Sequence, residues 1–301
     1  MLDGRVTRIL DCHIHAYPPE VCADPRAWGE ARQETWWVEC VAPAGRRSLQ
    51  GWADLDRLLH DMDHAGVEQV VMLGWYWERQ ETCEEQNRWF IDWHTRHPHR
   101  IQAFAAVQPN SGQRGRDDVR RCLDAGLKGI GELHPAVQNF ALNEDDFVRL
   151  AELAATADVP INLHVSDAAL PAGTGMKPTP LPEFARLGAD HPATTFILAH
   201  WGGGLVFHEL MPRVRRGAGR VYYDTSASPL LYDPAVFRHA VDIVGAERIL
   251  FGSDYPLLLY PRDSREPDFG RFLDEVRGAG LSVSDLEKIL GGNLRRLLKL
   301  A

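Results

Sequence analysis

Eight short apolar segments, each followed by a segment with helical periodicity, recur along the 301 residues of this chain. The segments are continuous apolar runs, which is typical of strands buried on both faces of a parallel sheet. Eight β-α units in succession predict an α/β fold, a closed (β/α)8 TIM barrel. The predicted strands span residues 7–12, 69–74, 101–107, 127–133, 160–165, 195–200, 221–225 and 248–252.

A single barrel domain covering residues 1–301 is the predicted organisation, and an open doubly wound sheet is the alternative. The open sheet normally carries a glycine-rich dinucleotide loop after its first strand, whereas this chain has His13-Ile14-His15 there. Residues 17–51 form a long insertion after the first strand. Such an insertion covers an active site or serves as a surface or dimer contact, and both readings stay open. Residues 282–300 predict a C-terminal helical extension.

Composition and charge limit the classes of molecule that this protein is expected to bind. The formal net charge of -9 argues against nucleic acid, because phosphate binding needs clustered Lys and Arg. No apolar run has the length of a membrane span, and no secretory signal is visible. The five scattered cysteines fit free thiols in a reducing compartment. We therefore expect a cytoplasmic protein with a small-molecule substrate, no nucleic-acid or membrane partner, and, given the insertion, a homodimer as an open option.

Polar side chains able to bind a metal or move a proton end six of the eight predicted strands. Since the carboxyl ends of barrel strands converge around one axis, residues far apart in sequence become neighbours there. Imidazoles and carboxylates together suit Zn²⁺ or another divalent first-row metal, and such an ion lowers the pKa of bound water towards ~7. The residues concerned are His13 and His15, Glu132, His164, His200, Asp224 and Asp254. Of these, Asp224 is predicted to be structural.

Several longer pieces of the sequence resemble a known group. These pieces are DCHIHAYP, HPHRIQAFAAVQP, KGIGELHPAVQNF, VPINLHVSD, FILAHWGGG and ILFGSDYP. In this order they resemble the amidohydrolase superfamily, in particular the amidohydrolase-related branch that includes aminocarboxymuconate-semialdehyde decarboxylase.

The resemblance implies a role for each matching residue. His13, His15, His164 and Asp254 would bind a catalytic divalent metal, and Asp254 would also take and return a proton. His200 would hydrogen-bond the metal-bound water, act on the substrate or bind a second metal.

Glu132 departs from the pattern of many relatives, which carry Lys at this position of the fourth strand. A glutamate there resembles the TatD-like hydrolases, in which a carboxylate bridges or adjoins two metals. Glu132 therefore joins the predicted metal ligands and leaves one or two ions open. Zn²⁺ is the expected metal, with Mn²⁺ as the alternative.

Two catalytic functions remain open at this stage. The leading prediction is a metal-dependent hydrolase of a small amide, ester or lactone-type bond, in which Asp254 transfers the proton of the attacking water and His200 stabilises the oxyanion. The alternative is a metal-dependent non-oxidative decarboxylase of an aromatic or enoic carboxylic acid. A metal-free barrel that only binds a ligand is the third reading.

Substrate contacts are predicted from residues near the ends of strands two, four and eight. Aromatic residues there would form a wall for a flat substrate or pack within their loop, and Arg262 would hold a carboxylate. His134 would contact substrate or support its loop. The predicted contacts are Trp75, Trp77, His134 and Tyr255.

Overall fold

Eight parallel strands form the centre of the computed structural model, which describes residues 8–167 and 177–300. They form a three-stranded sheet, β1-β2-β3, and a five-stranded sheet, β4-β5-β6-β7-β8. The strands are β1 (Ile9–Ile14), β2 (Val67–Met72), β3 (Ile101–Ala103), β4 (Ile130–Leu133), β5 (Ile161–Leu163), β6 (Phe196–Leu198), β7 (Val221–Asp224) and β8 (Ile249–Leu250).

Backbone contacts close the two sheets into one barrel. At one seam Ala105, just after β3, forms a parallel bridge with Ile130 of β4. At the other, Ile14 of β1 bridges Tyr255, which follows β8. The predicted (β/α)8 barrel is thus confirmed, and the open sheet is excluded. The observed strands are mostly shorter than the predicted runs, since several apolar residues at the run ends belong to the connecting loops.

Helices alternate with the strands and pack their apolar sides on the barrel. Leu55–Ala65 is the best-defined example: the Asp54 side chain caps its start by accepting from the Arg57 backbone N–H, and Gly66 ends it with a φ of 71°. The other helices of eight or more residues are Gln80–Arg96, Gln113–Asp124, Asp145–Ala157, Val236–Val244 and Gly270–Gly278.

Shorter helical segments fill the connections. They are Pro109–Ser111, Pro135–Gln138, Leu181–Phe184, Leu187–Asp190, His200–Gly203, Leu205–His208, Pro212–Ala218, Ser228–Leu231 and Ala246–Arg248. Within the described parts of the chain, no helix combines the length and apolar character needed to cross a membrane.

The insertion folds into three short helices, Pro19–Ala23, Pro25–Ala31 and Thr35–Val41. Its aromatic side chains, among them Trp28 and Trp37, form a second apolar cluster with Trp75, Tyr76 and Trp77, the residues that follow β2. The insertion therefore packs against the carboxyl ends of the strands, the side of the barrel that positions the polar residues.

The C-terminal extension consists of Val283–Glu287, Lys288–Gly292 and Asn293–Leu298. Leu294 and Leu298 pack with Leu10 of β1 and Leu250 of β8. A Cβ added at Gly291 would lie 2.5 Å from the backbone oxygen of Arg8, so only glycine allows this close approach. The extension thus supports the strand that carries the histidine pair.

Candidate metal centre and substrate cavity

His13 lies within β1 and His15 follows its last residue, and both rings point to the same side. Their centroids are 5.2 Å apart. His13 Nδ1 donates to Asp224 Oδ2 at 2.9 Å, and His15 Nδ1 donates to the backbone oxygen of Leu73 at 3.2 Å. These bonds set the tautomers, because the second nitrogen of each neutral ring is then an acceptor. Both Nε2 atoms are left to bind a ligand, and that of His13 is buried without a hydrogen-bond partner.

Two carboxylates face these nitrogens. Asp254 Oδ1 lies 3.7 Å from His13 Nε2 and 3.6 Å from His15 Nε2. Glu132 Oε2 lies 3.7 and 3.8 Å from the same two atoms. Donors held about 2.1 Å from one tetrahedral ion stand about 3.4 Å apart, so this spacing fits a divalent first-row cation. The unpaired Nε2 of His13 and the carboxylate oxygens around it are ligand atoms that such a cation binds well.

The potential metal ligands form two donor groups. His13, His15 and Asp254 form the first, and the second lies on the other side of Glu132. Glu132 Oε1 is 2.9 Å from His164 Nδ1, which is 3.2 Å from His200 Nε2. His200 Nδ1 donates to the backbone oxygen of Ser226 at 3.1 Å, so its Nε2 is free to accept. The ligand atoms of Glu132, His164 and His200 all lie within 4.8 Å of one another, as do those of His13, His15 and Asp254.

The buried charges of Asp254, Glu132 and His13 favour the binding of a cation. Burial raises the pKa of Asp254 to about 8. Burial also acts against ionised Glu132, but His164 and His13 outweigh it and hold the pKa of Glu132 well below its ordinary value. Burial disfavours a charged His13, yet Asp224 and Glu132 raise its pKa to about 10. A divalent cation supplies the charge that these carboxylates otherwise draw from a protonated histidine.

Asp224, which the sequence analysis predicted to be structural, forms hydrogen bonds within the site. Its fully buried carboxylate accepts from His13 Nδ1 and, at 3.1 Å, from the backbone N–H of His200. It also accepts from the backbone N–H of Ser226 at 3.0 Å. One carboxylate therefore orients a histidine from each of the two donor groups.

A cavity of about 340 Å³ opens directly onto the cluster. His15, Glu132, His164, His200 and Asp254 line its floor. Its walls come from the loops after the strands and from the insertion; they include Cys40, Val41, Arg46, Arg47, Ser48, Leu49, Gln50, Trp75, Tyr76, Ser166, Asp167, Leu230, Leu231 and Leu257. A mostly apolar wall with a few convergent polar groups is typical of a small-molecule site.

The aromatic wall is formed by Trp75 and Tyr76, whose rings stack with centroids 4.4 Å apart. Trp75 thus lies where it was predicted to meet substrate. Trp77 does not line the cavity: it is fully buried between Trp28 and Trp37 of the insertion, and its indole N–H donates to Gln86. Its assignment as a substrate contact was wrong, because the chain turns its ring into the second apolar cluster.

Tyr255 and His134 also lie away from the cavity lining. Tyr255 stacks on Phe269 with centroids 4.3 Å apart, and its hydroxyl donates to Asp61, so the predicted substrate contact is not formed. His134 stacks on His164, with centroids 4.6 Å apart, and its backbone N–H donates to Gln138 Oε1 at 3.0 Å. Its ring therefore supports that of His164, and its backbone supports its own loop.

The arginines of the cavity come from the insertion. Arg46 and Arg47 line it, whereas Arg262, the arginine predicted to hold a carboxylate, is exposed and does not. Arg46 donates to the backbone oxygen of Glu39 at 2.6 Å. Among the described residues, Arg47 has no hydrogen bond or ion pair. The sequence shows the adjacent arginines Arg46 and Arg47, but it does not indicate where they lie. They line the cavity because the insertion folds back over the barrel.

Three partly buried hydrogen bonds hold the insertion in place. Glu34 accepts from the backbone N–H groups of Glu78 and Arg79, at 2.7 and 3.2 Å. In return Glu78 accepts from the backbone N–H of Trp36 at 2.8 Å. This Glu34–Glu78 clasp joins the insertion to the loop that carries Trp75 and Tyr76. The two walls of the cavity are therefore fixed relative to each other.

The sequence profile of the amidohydrolase family matches residues 10–300. No protein with a curated description matches the sequence significantly.

Solved structures with the same fold include 2,6-dihydroxybenzoate decarboxylase from Rhizobium, at 20% identity and a TM-score of 0.70, covering 98% of this chain and 99% of that one. A dihydroxybenzoic acid decarboxylase from Polaromonas sp. JS666, with manganese and the inhibitor 2-nitroresorcinol, matches at 20% identity, a TM-score of 0.70 and 98% coverage of both chains. 5-Carboxyvanillate decarboxylase from Sphingomonas paucimobilis matches at 15% identity and a TM-score of 0.74, covering 98% of this chain and 100% of that one.

These findings correct the leading functional prediction. The activities named for these structural neighbours are decarboxylations of aromatic acids, so the prediction of a hydrolase was wrong and the alternative reading is the better supported one. The expectation of a divalent metal is supported by the manganese in the Polaromonas protein and by the donor groups of this chain. Zinc in particular has no such support.

Proposed function

This chain belongs to the amidohydrolase family, and we propose that it is a metal-dependent, non-oxidative decarboxylase of an aromatic carboxylic acid. The observation that carries the proposal is the cavity, which joins the two donor groups to a stacked aromatic wall and to two arginines. The decarboxylase activities of the fold neighbours support the same substrate class.

The shape of the cavity suits a single substituted ring. Its volume of about 340 Å³ lies at the small end of ligand pockets. Trp75 and Tyr76 offer a flat surface on which an aromatic ring stacks favourably. Arg47 lies at the insertion side of the cavity with an uncommitted guanidinium, the group best suited to a carboxylate or phenolate. These contacts orient an anionic ring over the floor of the cavity.

His13, His15 and the carboxylates of Glu132 and Asp254 would hold the divalent ion, manganese being the metal present in the Polaromonas neighbour. When bound, the ion would attract substrate oxygens and stabilise negative charge that develops on the ring.

The chain itself must supply a proton. Decarboxylation breaks the bond between the ring and its carboxylate carbon; CO2 leaves, and the electron pair stays on the ring carbon. That carbon must then be protonated to give the arene. Asp254 reaches the cavity floor, and its carboxyl group is the one we assign to deliver the proton and to regain it from water. His200, also on the floor, orients the substrate, since its Nδ1 is fixed by Ser226.

The proposal is tested with a panel of hydroxylated benzoates and benzene dicarboxylates, with enoic acids, esters, lactones and amides alongside, using manganese-loaded protein in D2O. We expect at least one aromatic acid to release CO2 and to gain one deuterium at the vacated ring carbon, as observed by NMR. The variant Asp254→Asn should lose CO2 release by at least about 10³-fold. Asp263→Asn, which changes an exposed aspartate that does not line the cavity, is the matched control.

Turnover of the esters, lactones or amides with no CO2 from any acid would overturn the proposal. So would CO2 release that is equal in Asp254→Asn and wild type.

A further inference from the structure

We propose that the hydroxyl group of Tyr76 is a specificity determinant, which donates a hydrogen bond to an oxygen substituent on the substrate ring. The inference rests on the proposed function for its ligand, an aromatic carboxylic acid. It gives Tyr76 a polar role in addition to the stacking surface of its ring.

Tyr76 lies where the aromatic wall meets the histidines of the cavity floor. Its ring stacks on that of Trp75, with centroids 4.4 Å apart and planes inclined by 29°. Its centroid is 5.0 Å from that of His134 and 5.2 Å from that of His164. With these neighbours around it, only 6% of the residue is exposed. Because Tyr76 lines the cavity, a substrate ring held over the floor contacts this fixed side chain.

The hydroxyl group of Tyr76 has no hydrogen-bond partner among the described residues. Buried tyrosine hydroxyls usually find one. In this protein Tyr223 donates to Glu209 at 2.6 Å, and Tyr255 donates to Asp61 at 2.7 Å. Tyr76 differs from these two tyrosines in that it lines the cavity, where a ligand can supply the acceptor.

Two further polar atoms of cavity-lining residues are buried without a partner in the described part of the chain. They are Trp75 Nε1 and Ser166 Oγ. An indole N–H can only donate, and a phenol with an ordinary pKa of about 10 is protonated at neutral pH and donates as well. Buried donors without acceptors are costly. The excess of donors in this wall therefore favours a ring that carries an oxygen substituent over one that carries none.

The test removes the hydroxyl group and keeps the ring. Tyr76→Phe preserves the stacking on Trp75 and lacks only the oxygen atom. The probes are benzoate and its three monohydroxylated isomers, each of which differs from benzoate by one oxygen. Binding to manganese-loaded protein is measured by isothermal titration calorimetry, and CO2 release from each acid is followed in parallel.

We expect wild type to bind at least one hydroxylated isomer more tightly than benzoate. Tyr76→Phe should reduce this preference by about 10-fold, the effect of one lost hydrogen bond. The preference is a ratio within one protein, so a change in folded fraction or metal content cancels. Tyr222→Phe removes the hydroxyl of a half-buried tyrosine outside the cavity and should keep the wild-type preference.

An equal preference in wild type and Tyr76→Phe, or no binding of any of the four acids, would overturn the proposal. A preference that depends on Tyr76, with no CO2 released from any aromatic acid, would leave this role of Tyr76 intact and refute the proposed function. CO2 release with a preference that is independent of Tyr76 would do the reverse, so the two failures are distinguishable.

Discussion

Asp224 accepts a hydrogen bond from His13 Nδ1 at 2.9 Å, and both side chains are fully buried. Asp224 ends β7 and His13 lies in β1, so the bond crosses the barrel between strands that are not neighbours. The aspartate does not line the cavity, yet its hydrogen bond determines which nitrogen of His13 faces the other metal-ligand candidates.

Asp224→Asn should therefore weaken metal binding without removing a ligand. An amide at this position can donate to His13 Nδ1 and shift the ring proton to Nε2, which then no longer presents a lone pair. We expect metal affinity to fall by about 10–100-fold, measured by competition with a chromogenic chelator. Asp233→Asn is the matched control, since the side chain of this exposed aspartate accepts from the nearby Ala235 N–H and does not line the cavity. Unchanged affinity in Asp224→Asn would show that the bond does not select the tautomer.

Arg47→Gln should weaken substrate binding more than turnover. Its guanidinium lines the cavity and has no partner among the described residues, so we assign it to an anionic group of the substrate. Losing a charge-assisted contact should raise KM by about 10-fold with a smaller change in kcat. Arg262→Gln removes an exposed arginine outside the cavity and should leave both constants unchanged. The reverse pattern would restore the sequence-based assignment of Arg262.

Trp75→Ala and Trp77→Ala should separate substrate contact from packing. Trp77 is fully buried against Trp28 and Trp37, so its truncation should lower the free energy of unfolding by about 3–5 kcal/mol, measured by urea denaturation. Trp75 forms part of the cavity wall, and its truncation should mainly raise KM. The milder variant Trp77→Phe preserves much of the packing and should change KM little. If it raised KM more than Trp75→Ala does, this division of roles would be contradicted.

Glu34 should make stability depend on pH. Burial raises the pKa of Glu34 to about 7 from an ordinary value of 4.5, despite the backbone N–H groups it accepts from. Between these values the folded protein holds a proton that the unfolded chain releases. The contribution of Glu34 to stability is therefore full below about pH 4.5 and is lost as pH rises through about 7.

Relative to Glu34→Gln, wild type should gain about 1–3 kcal/mol of unfolding free energy between about pH 8 and about pH 5. Urea unfolding of both proteins at these two values measures the difference, and groups that titrate equally in both cancel. A difference that does not change with pH would mean that Glu34 stays ionised in the clasp.

The barrel was predictable from the sequence because its signal is local. Each strand reads as a continuous apolar run and each helix as a 3.6-residue repeat, so the eightfold alternation is visible without any long-range contact. Boundaries were less predictable than the elements themselves: the strand predicted over residues 101–107 is observed only over Ile101–Ala103.

For the site, the sequence by itself determined which side chains gather at the carboxyl ends of the strands. His13, His15, Glu132, His164, His200 and Asp254 all line or adjoin one cavity floor, since barrel geometry brings strand ends together whatever their separation in the chain.

Only the tertiary structure decided how these residues divide into two groups of potential metal ligands and which side chains form the walls of the cavity above them. Which ring nitrogen faces the cluster depends on partners such as Asp224, the last residue of β7, and the backbone of Ser226, in the loop that follows. Whether Trp75 or Trp77 meets the cavity depends on how a loop turns, and the arginines enter it through the fold of the insertion. Side-chain direction in loops is set by packing against distant residues, and that information is not contained in any local pattern of sequence.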